Sequence, residues 1–225
     1  GFLTPSFRTG GETGFSVTVP YYFNIAPDFD ATLSPRVMLK RGVMLGGEVR
    51  HLSHFGRSEM SAEYLPDDKV TDEKRGQFVF RHNGSFAPGW GADVDYNIVS
   101  DREYFEDFGN TLSVTSTRHL NQRADVTYAA DRWSFLGRVQ NYQTVDRTIA
   151  ADDRPYKRLP QLLFNYDSRK GNYEFAYGFY AEGVNFDRRS SVDGLRLDAE
   201  PYVSYPMRTA SAFLIPTAKL RYTHY

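Results

Sequence analysis

The chain has 225 residues, with 27 basic and 28 acidic side chains that are interleaved along it, which argues against a nucleic-acid partner. It contains no cysteine, so disulfides and thiolate chemistry are excluded within it, and no run of 18 apolar residues, so a transmembrane helix is excluded. Tyr and Phe are abundant (16 and 17) although mean hydropathy is low (−0.54), which favours an all-β chain and leaves a transmembrane β-barrel open.

Alternation of apolar and polar side chains predicts strands along the whole chain. The first, within residues 14–30, carries Pro20 inside its alternating pattern, and proline cannot donate to a strand ladder. The same period recurs in residues 43–50, 91–99, 123–128, 173–182 and 218–223. About thirteen such segments are predicted.

Short and long connectors alternate between these segments. The short ones include "NIAPD", "SHFGR", "APGW", "AADR" and "SRKGN". The longer ones include "LPDDKVTDEKRG", "SDREYFEDFGNTLSVTS", "DRTIAADDRPYKR" and "DRRSSVDG", although "RTGGET" and "KRG" in the same class are short. This predicts an antiparallel up-and-down barrel whose long loops share one end, while a soluble β-sandwich or propeller with a solvated polar face remains open.

Residues that carry chemistry form no recognisable site in the sequence. His51 and His54 are three apart, which on a strand puts them on opposite faces, so we expect no shared metal. Acidic clusters such as Asp67-Asp68 lack the spacing of a calcium loop. No nucleophile, P-loop or dinucleotide motif occurs, so neither an enzyme nor a cofactor is expected. Asn83-Gly84 is interpreted as a turn.

A series of longer blocks carries a family resemblance. "VPYYFNIAPDFDATLSPRVMLKRG", "EVRHLS", "EYLPDDK" and "DYNIVSDREYFEDFGN" occur in that order, with "GFLTPSF" before them and "YGFYAEGVNF", "LDAEPYVSYP" and "LIPTAKLRYTHY" after them. Together they closely resemble LptD, the lipopolysaccharide-assembly family of the Gram-negative outer membrane. The resemblance spans essentially the whole chain.

The resemblance implies a place in a larger protein. Residues 1–225 are expected to form the first half of one outer-membrane barrel domain of about 26 strands, with a periplasmic β-jellyroll before Gly1 and the other strands after Tyr225. It further implies lipopolysaccharide and outer-membrane lipid as ligands, the lipoprotein LptE as a plug inside the barrel, and a periplasmic LptA bridge that reaches the jellyroll.

The resemblance also supplies candidate site residues. Pro5 and Pro20 match prolines of the family's first two strands, and with Ser6 they would form a weakened lateral gate. Interior Arg36, Lys40, Arg50 and Arg81 are candidates for contacts with lipopolysaccharide phosphates, although charge is ordinary inside a barrel.

Other interpretations remain at this point. A second interpretation is that the two prolines only mark strand ends or bulges, as Pro35, Pro201, Pro206 and Pro216 do on that interpretation. The competing functions are a passive porin-like channel and a soluble carbohydrate-binding β-sandwich.

Overall fold

The structure is a computed structural model that describes residues 1–109, 116–168, 175–188 and 192–225. Its strands are β1 (Ser6–Gly10), β2 (Gly14–Thr18), β3 (Tyr21–Ala26), β4 (Phe29–Met38), β5 (Gly42–Ser53), β6 (Gly56–Asp68), β7 (Glu73–Ala87), β8 (Trp90–Val99), β9 (His119–Ala129), β10 (Trp133–Thr144), β11 (Lys157–Asp167), β12 (Ala176–Asp187), β13 (Gly194–Ser204), β14 (Met207–Arg208), β15 (Phe213–Leu214), β16 (Thr217–Lys219) and β17 (Tyr222–His224). A short helix, α1 (Tyr104–Phe108), and a 3₁₀ turn at Ala151–Asp153 accompany them. Among these residues no helix is long and apolar enough to cross a membrane.

The strands form an antiparallel up-and-down sheet, which confirms the predicted fold class. Within the described ranges the hydrogen-bonded order is β1-β2-β4-β5-β6-β7-β8-β9-β10-β11-β12-β13-β16, with β3 paired to β4 and β17 to β13. β14 and β15 pair separately. From β4 to β13, strands that follow each other in sequence are thus neighbours in the sheet, as in a chain of hairpins.

The chain folds as two compact units. The first comprises Gly1–Gly84, Asp93–Gln122 and Tyr142–Arg154, and contains β1–β6 and α1. The second comprises Ser85–Ala92, Arg123–Asn141 and Pro155–Tyr225, and contains β11–β17.

The strands of the first unit have one apolar and one polar face. Val37 lies opposite Val43 across β4 and β5, and the two side chains are 50% and 48% exposed. Side chains at the alternate positions of these strands, including Thr32, Ser34 and Glu48, point to the opposite face and line a polar recess there. Exposed apolar side chains on one face and polar ones on the other are the arrangement of a strand between lipid and a wet interior.

Four of the predicted short connectors are confirmed, but one long loop is much shorter than predicted. Turns follow Ala26, Ser53, Ala87 and Ala129 as expected. In "LPDDKVTDEKRG", however, β6 continues to Asp68 and β7 begins at Glu73, so the connector is four residues long. Asp72 in this turn has a φ of +57°, a conformation that Asp tolerates better than most residues. A polar strand end is indistinguishable from a loop in the sequence.

The predicted turn at Asn83-Gly84 is wrong, because β7 runs through it to Ala87. A Cβ atom added to Gly84 would lie 1.8 Å from the carbonyl oxygen of Phe55, in the turn between β5 and β6. Glycine is therefore required here for close backbone approach and not for chain reversal.

The predicted segment 218–223 is interrupted as well, since β16 ends at Lys219 and β17 begins at Tyr222. Of the predicted strand 173–182, residues 173 and 174 lie outside the described ranges, and β12 covers the segment from Ala176. The connector "SRKGN" also lies largely outside them.

Aromatic side chains form a row near the short turns of the second unit. Ring centroids are 5.9 Å apart for Phe86 and Trp90, 4.8 Å for Trp90 and Tyr128, 4.5 Å for Tyr128 and Trp133, and 5.9 Å for Trp133 and Phe164. These residues flank the turns "APGW" and "AADR". Such aromatic rows are typical of the interface level of membrane barrels.

The buried core of the first unit lies under α1. Tyr104, Phe105 and Phe108 of the helix are buried. They pack in one cluster with buried apolar residues of the strands and of the segments that follow them: Met38, Met44, Leu65, Val99, Leu120 and Val145. The Tyr104 hydroxyl donates to Glu63 Oε2 at 2.5 Å, so the helix contacts the polar face of the sheet.

Ion pairs fix α1 to the ends of the strands. Arg41 and Arg75 both bind the carboxylate of Asp68, at 2.8 and 3.1 Å, and Asp68 is fully buried. Both arginines also bind Asp107 of α1. Their guanidinium groups lie 5.3 and 4.8 Å from the ring centroid of Phe108. Asp68 of the acidic pair Asp67-Asp68 is thus neutralised by two arginines.

Asp101, just before α1, joins this cluster through two bonds from Arg75, at 2.8 and 2.6 Å. Burial acts to raise the pKa of Asp101, but the hydrogen bonds from Arg75 and Ser100 outweigh it and hold that pKa below its ordinary value. A carboxylate whose folded-state pKa is depressed stabilises the fold above its unfolded-state pKa, and this contribution is lost as pH falls through the lower value.

Replacing Asp68 by alanine should lower the free energy of unfolding by about 1–3 kcal/mol, because it removes one of the two carboxylates that the buried guanidinium groups of Arg41 and Arg75 share. Asp67→Ala is the matched control, since Asp67 is exposed, and should change it by less than about 0.5 kcal/mol. Urea unfolding of the full-length protein in lipid vesicles measures both. Equal losses in the two variants would contradict this account of the cluster.

Acid should detach α1 before it disrupts the sheet. Below pH about 4, where the carboxylates begin to bind protons, amide hydrogen exchange in residues 101–109 should lose protection. The paired residues of β4 and β5 serve as the internal control and should stay protected. Protection of residues 101–109 that is unchanged down to pH about 2 would refute the electrostatic attachment.

Candidate functional site

The first ten residues form two paired pieces separated by Pro5. β1 pairs with β2 from Ser6 opposite Thr18 onward, and nearer the start Phe2 forms an isolated bridge to Tyr21. On the first strand, three residues lie between these two paired positions, whereas on the facing strand only two residues lie between them. One extra residue on one strand is a β-bulge, a position at which proline is tolerated.

Pro20 faces the first of these pieces. The amide of Leu3 donates to the Pro20 carbonyl at 2.9 Å, and the amide of Tyr22 donates to Gly1 at 2.8 Å. In a regular antiparallel ladder, two residues in the positions of Leu3 and Pro20 would exchange two hydrogen bonds. Pro20 has no N–H to return the second bond, so this pair is held from one side.

The opposite edge of the same strand also has one pair that is held by a single bond. The Val19 amide donates to the Pro35 carbonyl at 3.1 Å, and the register of β2 on β4 continues into that of β3 on β4. The predicted single strand through Pro20 is therefore divided into β2 and β3, but both stay paired with β4. Pro35, like Pro20, has no N–H to return the bond, so each side of this segment lacks one donor, but the register on β4 is continuous whereas the first strand also has the bulge at Pro5.

Ring contacts also join the first strand to its neighbours. Phe2 packs edge-on against Tyr21 at 4.9 Å between centroids, and Phe7 stacks on Phe15 at 6.4 Å. These side chains, of which Phe7 is 65% exposed, are apolar. The contact between strands is therefore made by non-directional packing as well as by a reduced set of hydrogen bonds.

Ser6 and Arg36 lie in the same cross-strand row. Ser6 is opposite Thr18, Thr18 is opposite Arg36, and Arg36 is opposite Met44. All four line one recess on the polar face, together with Arg8. Arg8 is not among the residues predicted for a site, although a period of two from Ser6 puts it on the same face.

The other predicted cationic residues do not join this recess. Lys40 lies in the turn between β4 and β5, and its Nζ donates to the Gly11 carbonyl at 2.6 Å. Arg50 forms a two-bond contact with Asp30, at 2.9 and 3.1 Å. Arg81, on β7, lies 3.9 Å from Glu59. The structure brings Ser6 and Arg36 together and keeps these three apart.

Two kinds of positioning residue have only a weak signal in the sequence. Arg41 and Arg75, which hold α1, are 34 positions apart and become neighbours through strand pairing. Leu3, the partner of Pro20, is identified by register alone. No cluster of three potential metal-ligating side chains occurs within the part of the chain that the structure describes.

Comparison with known proteins gives a consistent result. The family model LptD, described as LPS transport system D, matches residues 73–225. The chain is 45% identical over its whole length to the LPS-assembly protein LptD of Nitrosococcus oceani, of which it covers 31%. It is 38% identical to that of Methylococcus capsulatus and 37% identical to that of Pseudomonas aeruginosa strain UCBPP-PA14, and covers 22% and 28% of these relatives.

The chain thus spans less than a third of the length of these curated relatives. The solved structure of OccK5 (OpdH) of Pseudomonas aeruginosa aligns with 96% of this chain and with 73% of the OccK5 chain, at 11% sequence identity. The TM-score of 0.35 is too low to support an argument. The family model covers well over half of the chain. The chain therefore belongs to the LptD family and is located in the outer membrane.

Proposed function

We propose that this chain forms the first strands of an outer-membrane barrel that receives lipopolysaccharide from the periplasm and releases it sideways, beside β1, into the outer leaflet. The observation that carries the proposal is the one-sided hydrogen bonding between Leu3 and Pro20. The names of the relatives, LPS-assembly proteins, supply the substrate. The seam beside β1 is here called the lateral gate.

Energetics support a gate at this position. A strand edge in lipid has no water to replace a missing bond, so each lost bond there matters more than the roughly 0.5–1.5 kcal/mol it is worth in water. The bulge at Pro5 and the missing donor of Pro20 weaken the first strand on one side only. The strand can thus move while β2 and β3 remain attached to β4.

The two-faced strands fit an amphiphilic substrate. Acyl chains need the apolar exposed face that includes Val37 and Val43, and a phosphorylated sugar head needs the polar face that includes Arg36. A gap at the edge of β1 gives one molecule access to both faces at once. Arg36 is the predicted phosphate contact that lies nearest the gate, whereas Lys40, Arg50 and Arg81 have less favourable positions.

The proposal includes the rest of the assembly. Residues 1–225 would form part of one barrel domain, a jellyroll domain outside this chain would receive lipopolysaccharide from an LptA bridge, and the lipoprotein LptE would plug the barrel. Movement of lipid needs no bond to be broken, and we propose no enzymatic role and no cofactor.

A passive porin-like channel is not favoured. A loop packed on the polar face would suit a channel constriction, and α1 does contact that face through Glu63. The helix is fixed at the strand ends by Arg41 and Arg75, however, and leaves Arg36 and the recess beside β1 accessible. The relatives named above are LPS-assembly proteins.

Restoring donors at the first strand should impair export. Replacing Pro5 and Pro20 together by serine allows up to two further interstrand bonds, worth about 1–3 kcal/mol. The population of the open state should therefore fall about tenfold or more. The measurement is the rate at which newly made lipopolysaccharide becomes accessible to a surface label that does not enter intact cells.

The matched control replaces Pro27 and Pro88 by serine, because both lie in turns between strands. This variant should export lipopolysaccharide at the unaltered rate. The lateral gate loses its support if the Pro5 and Pro20 variant assembles normally and exports as fast as this control.

Covalent closure tests the same seam without changing a proline. A cysteine at Ser6 and another on the facing last strand of the full-length protein should block export when oxidised, and reduction should restore it. The single Ser6→Cys protein is the control for the substitution itself. Unchanged export through a fully oxidised pair means that the lipid leaves by another path.

A further inference from the structure

A recess of about 160 Å³ lies on the polar face beside the lateral gate. The row Ser6, Thr18 and Arg36 crosses it from β1 to β4, and Arg8 follows Ser6 by two residues on the same strand. The recess therefore brings two guanidinium groups and two hydroxyl groups together at the strand that follows the Pro5 bulge, with the carboxylate of Glu63 also in its lining.

Arg36 forms no ion pair and no hydrogen bond among the described residues. Its Nε is buried and donates no hydrogen bond. Glu63 attracts it electrostatically, but the carboxylate of Glu63 already accepts the hydroxyl of Tyr104. Arg50 provides the contrast, since on the neighbouring strand it is bound through two bonds to Asp30.

Arg8 adds a second positive charge to the recess. The two guanidinium groups repel each other, as the electrostatic interaction of Arg36 with Arg8 indicates. Like charges on one face are unfavourable unless an anion lies between them. A guanidinium group presents paired N–H donors that match a phosphate in two-bond geometry, and the hydroxyls of Ser6 and Thr18 can supply further donors.

We propose that Arg8 and Arg36, with the hydroxyl groups of Ser6 and Thr18, form a binding site for a phosphate ester beside the lateral gate. This inference rests on the proposed function for its ligand, the phosphorylated head of lipopolysaccharide. The site would hold the head on the polar face while the acyl chains pass the edge of β1.

The position of the two arginines gives the site a second consequence. Arg8 lies on β1 and Arg36 on β4, with β2 between them. A phosphate bound to both bridges the weakened strand to β4, which is paired with β2, β3 and β5. Occupancy of the site thus stabilises β1 in its closed register until the phosphate leaves.

The test compares binding of lipid A with two phosphates and lipid A stripped of phosphate to the full-length protein in detergent. Replacing both Arg8 and Arg36 by glutamine should weaken binding of the phosphorylated lipid about tenfold or more, as expected for loss of charge-assisted bonds. Binding of the stripped lipid should not change. Arg57→Gln is the matched control, because Arg57 is an exposed arginine on β6, and should bind both lipids normally.

Arg36→Lys separates charge from geometry. It keeps the positive charge and loses the two-bond contact, so its affinity for the phosphorylated lipid should be intermediate. Heat-modifiable migration on gels would reveal a glutamine variant that assembles poorly. In that case the Arg36→Lys variant still tests the site. Inorganic phosphate at millimolar concentration is the second probe: competition means that the site recognises phosphate alone, and lack of competition means that it requires the lipid headgroup.

The inference is overturned if the double variant binds phosphorylated lipid as tightly as the unaltered protein, or if it loses both lipids equally. These outcomes are separate from failure of the lateral gate. Binding that depends on Arg8 and Arg36 together with normal export by the Pro5 and Pro20 variant would retain the site and reject the gate. The reverse pair of results would retain the gate and reject the site.

Discussion

The hydrogen-bond requirement of a backbone in lipid is the constraint on which this structure depends. Each peptide group in the apolar layer must find a partner in a neighbouring strand, since no water is available there. Along β4 and β5 the ladder is continuous over ten residue pairs. Against this background one absent donor is significant, because nothing in the lipid can replace the bond that Pro20 does not make with Leu3.

The position of that deficit determines what it can do. The nitrogen of Pro20 is directed toward the first strand, and on β4 the pair of Val19 with Pro35 also lacks one bond but lies within a continuous register. The bulge at Pro5 lies opposite the same segment. The two prolines therefore act at one place, and the strand they loosen also carries Ser6 and Arg8 on its polar face.

Charge is distributed unevenly over the polar side of the first unit. At the strand ends, Arg41 and Arg75 are neutralised by aspartates, and both guanidinium groups contact the ring of Phe108, which fixes α1. Beside β1, Arg36 has no such partner among the described residues. The same residue type thus serves rigidity at one position and, on our proposal, ligand binding at the other, and the difference lies in whether a carboxylate is within reach.

The sequence by itself determined the two-residue period, the short turns and the family, because each is encoded in adjacent residues or in blocks read in order. It located Pro20 within a strand, but not the side to which the proline nitrogen points, since that depends on the register with β4. It misassigned Asn83-Gly84 as a turn because the need for glycine arises from Phe55, nearly thirty residues earlier. The partners of Arg41 and Arg75, and the meeting of Arg8 with Arg36, were decided only by tertiary structure, because strand pairing alone brings side chains that are distant in sequence within range of their charges.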